Sequence, residues 1–161
     1  MAKVITQDMY KKYKDLTNFP TAIANVLAIE SEIRAKINEA ISAVKSKGSI
    51  LVSNIVNFVE MQEGILMDIE NGTMMIQNPG TEMRAESAFL IKMDKTRASI
   101  NRIRRINIRN LIDLKKASEL VKNKKFDDTI PVFNVILSSR KDNEKNIEDF
   151  KAGLRDIRTI L

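Results

Sequence analysis

The chain has 161 residues, 27 Lys and Arg against 21 Asp and Glu for a net charge of +6, and 43% hydrophobic residues. That suits one domain with a core of its own. It contains no Cys and no His, which excludes disulfide frameworks, thiolate or imidazole metal sites, and the side chains most often used as nucleophile or general base.

Aromatic residues make up only 5% and there is no Trp, so the core must be built from Ile, Leu, Val, Met and Ala. Five Gly and three Pro are few for an all-β protein and point to long helices. The predicted fold is all-α: one domain over 1–161, a helical bundle built on a long antiparallel hairpin and packed with shorter N- and C-terminal helices. No apolar run approaches the roughly 18 residues needed to cross a bilayer. Met1 to Thr6 does not open a signal peptide. The expectation is no membrane partner and a cytoplasmic location, or one inside an assembled particle.

In chain order, 6–17 reads as a short helix carrying Met9, Tyr10, Tyr13 and Leu16. Asn18-Phe19-Pro20-Thr21 ends it and opens the next, since Pro suits a first helical turn. From there to about residue 70 the apolar positions keep three-four spacing: Ile33, Ile37, Ile41 and Val44, then Leu51, Ile55, Phe58, Val59, Leu66 and Ile69. Unbroken, Ile33 to Ile69 would span roughly 55 Å at 1.5 Å per residue. Gly48, in Ser46-Lys47-Gly48-Ser49, marks either a break or kink in this 21–70 helix or a close crossing of a continuous rod. Asn71-Gly72 reads as a helix stop, Asn78-Pro79-Gly80 as a turn, and Thr81 as the cap of a basic helix over 82–124.

In that basic helix Met93, Ile100, Ile103, Leu111, Leu114, Ala117 and Val121 share a face, and Asn107 and Asn110 sit among them. The two asparagines read either as a register-setting or oligomer-setting seam or as a half-exposed one. Two short helices complete the chain over 129–161, joined by a polar link at Ser138–Asp142. The run from Ala117 through Phe126, Thr129, Ile130 and Phe133 to Leu137 resembles the helix-turn-helix corner of tetratricopeptide repeats. It occurs once, whereas those arrays repeat every ~34 residues, so it reads as a generic helical corner.

Little in the chain points to catalysis. Glu60 and Glu63 are spaced to share a helix face, as in the acidic pairs of all-α nucleotide pyrophosphohydrolases, but no second pair accompanies them. Their expected role is a solvated face. There is no Gly-rich phosphate loop and no Glu-x-x-His pair. No metal, cofactor or catalytic residue is assigned, and the expectation is that the chain is not an enzyme.

Charge is more informative. Arg84 to Lys125 holds thirteen Lys and Arg and four Asp and Glu, whereas Gly48 to Met83 has no basic residue and carries Glu60, Glu63, Asp68, Glu70 and Glu82. Folding the hairpin at residues 71–80 makes facing residue numbers sum to about 153, which sets Glu60 and Glu63 near Lys92 and Lys95. Arg102, Arg105, Arg109 and Lys116 are then left as an unmatched cationic row opposite the apolar seam. That row reads as a solvated face, as a contact for an acidic protein surface, or as a contact for nucleic-acid phosphates. The favoured function is a helical interaction or assembly subunit of an oligomer or larger complex, such as a phage or mobile-element structural component, with self or another protein as partner. The alternative is a basic nucleic-acid-associated subunit. Small terminase subunits of phages, which build rings from helical hairpins, have this general architecture. A carboxylate-dependent nucleotide hydrolase comes third.

Overall fold

A computed structural model describes residues 19–45, 52–77 and 87–160. The expected 6–17 helix, the segment around Gly48 and the Asn78-Pro79-Gly80 turn with its Thr81 cap lie outside the described residues. Those described form five helices and no strand: α1 (Phe19–Lys45), α2 (Val52–Gln77), α3 (Ser87–Lys122), α4 (Thr129–Asp142) and α5 (Glu144–Ile160). The fold is the all-α bundle that the three-four spacing predicts. Among the described residues no helix is long and apolar enough to cross a membrane.

The 21–70 stretch is two helices rather than a rod. Val52, Ile55 and Val59 at the start of α2 pack with the later part of α1, whereas Leu66 and Ile69 pack with Val26 near its beginning, so the two helices run antiparallel. The physical reason is coverage. The apolar stripe runs through both halves, and folding one back on the other removes both from water at once. α3 then returns along α2, with Ile100 and Ile103 beside Leu66 and Ile69, and Leu114 and Ala117 beside Val52 to Val59. The α2–α3 pair is the expected hairpin in a shifted register. Glu63 meets Arg104 and Asn107, so facing numbers sum to about 168 rather than about 153. The register shifts because α2 continues past Asn71-Gly72 to Gln77.

α4 and α5 together make the fourth column, antiparallel to α3. Ser139 meets Asn110, Asn146 meets Arg102, and Gly153 crosses closely at Thr96. The polar link expected at Ser138–Asp142 is helical instead. Asn143 keeps near-helical dihedrals, φ −76° and ψ −13°, and its carbonyl accepts from the Ile147 N–H, so the chain barely leaves the helix. Ser139 and Arg140 are polar because they face a polar layer inside the bundle, and Ser138, Lys141 and Asp142 because they lie on the exposed side of the helix. At the α3–α4 corner, Lys124 takes φ 58°, with its N–H donating to Val121 and that of Lys125 to Leu120. That is a Schellman cap with lysine where glycine is usual.

Two apolar clusters fill the bundle, stacked along its length. One holds Val26, Leu66, Ile103 and Phe150, and the other Ile33, Ile55, Leu114 and Phe133. The level between them is polar.

Candidate interaction surface

The polar level is built from one residue or more on each column. Arg140, with no exposed surface, donates from Nη1 to Glu30 Oε2 at 3.1 Å and to Gln62 Oε1 at 3.2 Å. Gln62 Nε2 donates to the same carboxylate at 3.1 Å and to the Val26 carbonyl at 3.2 Å. Arg34 links this core to the surface, donating to Glu30 at 3.3 Å, to Glu144 at 2.9 Å and to the Arg140 carbonyl at 2.7 Å. Burial pulls the Arg140 guanidinium below its ordinary value against the pull of Glu30. For Arg34 burial acts the same way, but Glu144 and Glu30 outweigh it and leave the group raised. Among the described residues Arg140 Nε and Nη2 and Asn143 Nδ2 have no partner, nor do the Oδ1 atoms of Asn107 and Asn110. Each unsatisfied buried group costs about 1–3 kcal/mol, so this layer does not serve stability alone. It does fix alignment: sliding α1 or the α4–α5 column by one turn separates Arg140 from Glu30, and sliding α2 separates Gln62 from both.

Asn107 and Asn110 have no exposed surface and so are not a half-exposed seam. Their partners lie within the chain: Asn107 donates to Glu63 Oε1 at 2.9 Å and Asn110 to Ser139 Oγ at 2.8 Å. Glu63 is not the solvated carboxylate expected. Its side chain is 14% exposed and accepts from Arg104 as well, at 3.2 Å, while Arg104 also reaches Glu70 at 2.7 Å. Burial lowers the Arg104 guanidinium, but the bonds to these two carboxylates prevail and raise it. The charge complementarity of the hairpin is therefore present, carried at Glu63 and Glu70 by Arg104. Lys95 is exposed, and the side chain of Lys92 lies outside those described.

Arg102, Arg105, Arg109 and Lys116 are all exposed, as their place opposite the seam requires. Arg102 differs from the other three. It donates to Asn146 at 3.0 Å and to Ser99 at 3.1 Å, and lies 3.8 Å from Asp149. It lines a groove of about 360 Å³ between α3 and α5, with Lys95, Ser99, Gly153 and Asp156. Two cations and two carboxylates meet in that groove, so it holds no strong preference for either sign of ligand.

Sequence reasoning missed the apolar part of this surface. Ile108 is 51% exposed and Ile112 is 66% exposed, four residues apart among Arg105, Arg109, Lys115 and Lys116. On α2, Met67 is 47% exposed and Met61 is 54% exposed, near Glu60 and Asp68. The helical period shows how these residues are arranged. Arg104 and Asn107 define the flank of α3 that turns to α2, and Ile108, Ile112 and Lys115 lie next outward on it. Glu63 and Glu70 define the matching flank of α2, with Glu60, Gly64 and Met67 next outward. The α2–α3 side of the bundle thus carries exposed Ile, Ile and Met between an acidic and a basic edge. The signal was readable, because Ile108 and Ile112 fall off the three-four stripe of their own helix.

Among the described residues no group of three acidic side chains is placed to hold a metal ion. Comparison with protein-family models, with curated proteins and with solved structures finds nothing that matches this chain.

Proposed function

We propose that this chain is a non-enzymatic helical assembly subunit that docks into an oligomer or larger complex through the α2–α3 side of its bundle. The observation that carries the reading is the pair Ile108 and Ile112, more than half exposed among the exposed cations Arg105, Arg109, Lys115 and Lys116. Scattered exposed apolar residues are ordinary, but these two are adjacent on one helix, and Met67 is exposed on the neighbouring one, about two turns further along the bundle. A centre of large aliphatic side chains inside a charged rim is the anatomy of a protein interface. The cations Arg105, Arg109 and Lys116 also favour a second reading, contact with nucleic-acid phosphates. Against it, the branched aliphatic residues between them satisfy no phosphate and offer no ring for a base to stack on.

The test is the mass of the protein in a native extract, before and after nuclease treatment. The expected result is a nuclease-resistant particle heavier than one chain. A species that falls to one chain on nuclease treatment supports the phosphate reading and overturns this one. A free single chain from the outset overturns it too, without supporting the phosphate reading.

A further inference from the structure

We infer that the α2–α3 side is a two-fold interface with a second copy of this chain, in which α2 of each copy lies on α3 of the other. The inference rests on reading that side as a docking surface and names what docks there.

Charge chooses the occupant. α2 has no Lys or Arg anywhere in Val52–Gln77, and the exposed charges on its outer face are Glu60 and Asp68. On α3 every fully exposed charge from Arg102 to Lys116 is basic. Glu60, Asp68, Arg105 and Arg109 make no ion pair within the described residues. One molecule therefore presents an acidic strip and a basic strip side by side, both unneutralised, on the two helices of one flat side.

Height decides the geometry. Glu63 bonds to Arg104 and Asn107, so the middles of α2 and α3 stand level, and Glu60 stands at the height of Arg105 to Arg109. A two-fold axis parallel to the bundle preserves height and exchanges left for right. It lays the acidic strip of each copy over the basic strip of the other, at both places at once. The competing two-fold arrangement, α2 on α2 and α3 on α3, faces like charges and is disfavoured. Because both strips are satisfied in one closed pair, the assembly stops at two on this side.

Two further features fit. Gly64 lies on the same outward flank of α2, mid-helix, with no atom within 4 Å of where a Cβ would stand. Gly there costs helix stability of about 1 kcal/mol relative to Ala, and nothing among the described residues accounts for it. A facing helix that approaches closely does. Size is also adequate. The 26 residues of α2 run about 39 Å, and two helices are about 20 Å wide, giving on the order of 800 Å² per copy, which is the size of a standard stable interface.

The experiment is sedimentation velocity of the purified protein across concentration, with a salt series and four reversals. The expected wild-type result is a monomer–dimer equilibrium that weakens as salt rises. E60K with D68K, and separately R105E with R109E, should each weaken it at least about tenfold, and all four together on one chain should recover most of that loss. All four sites are exposed, and helicity by circular dichroism checks that each variant folds. Should a variant fail to fold, the wild-type salt series decides, since a salt-independent dimer contradicts the paired strips. A wild type that stays monomeric overturns the inference, while a heavy particle in native extract would leave the docking reading standing with another partner. A dimer weakened by the α3 reversals but indifferent to those on α2 overturns the pairing of α2 with α3.

Discussion

Removing Glu30 should destabilise the bundle more than removing Arg140, although the two form one buried pair. Glu30→Leu leaves Arg140, which has no exposed surface, with no hydrogen-bonded carboxylate, only the Gln62 amide oxygen to receive its protons and Glu63 at longer range. Arg140→Met leaves Glu30 with two donors still in place, Arg34 Nε at 3.3 Å and Gln62 Nε2 at 3.1 Å. It also removes two guanidinium nitrogens that have no partner. Breaking a buried pair from one side costs about 3–5 kcal/mol, and the asymmetry puts Glu30→Leu near the top of that range and Arg140→Met at or below its bottom. Replacing the whole triad, with Glu30→Leu, Gln62→Leu and Arg140→Met in one chain, should recover most of the loss, because no polar group is then left stranded. The assay is equilibrium urea unfolding followed at 222 nm, at one fixed protein concentration because association shifts apparent stability. The reasoning is refuted if Arg140→Met costs more than Glu30→Leu, or if the triple variant is less stable than either single one.

Three other outcomes follow from local geometry. Gly153→Ala places a methyl group on the Thr96 hydroxyl, close also to its Cβ, and should cost about 1–3 kcal/mol; adding Thr96→Ala should restore most of the melting temperature. Lys124→Gly relieves a left-handed lysine at the α3–α4 corner and should raise stability by up to about 1 kcal/mol, read as a higher urea midpoint with an unchanged slope. Gly64→Ala should stabilise the isolated chain by about 0.5–1 kcal/mol while weakening any association through the α2–α3 side; a gain in both would show that Gly64 has no part in an interface.

Much of the fold was legible because burial imposes a period. The stripes through Ile33–Val44, Ile55–Ile69, Ile100–Val121 and Ile147–Leu154 mark the inward faces, and Arg102, Arg105, Arg109 and Lys116 were correctly placed outside. The path of the chain was less legible. A stripe that continues through Gly48 is compatible with a rod or with a return, and only the need of each half for cover chooses between them. Register was misplaced because Asn71-Gly72 is a strong stop signal in isolation, yet α2 runs on to Gln77. Arg140 was hidden by its neighbours. In the run Ser138–Asp142 nothing local distinguishes a buried cation from a solvated one, since its counter-charge Glu30 lies on another column. Ile108 and Ile112 were readable and overlooked, because attention to a basic face conceals the apolar residues within it.

The measurement closest to the central claim exploits the absence of cysteine from the chain. A single thiol introduced as Ile112→Cys reports on the α2–α3 side, and one introduced as Asn134→Cys, exposed on α4, serves as a control. Each is reacted with a maleimide in native extract and again after purification and high dilution. The account predicts that the thiol at position 112 reacts at least about tenfold more slowly in extract than when dilute, while that at 134 reacts alike in both. Equal rates at position 112 would mean that nothing covers this side, and would contradict the account.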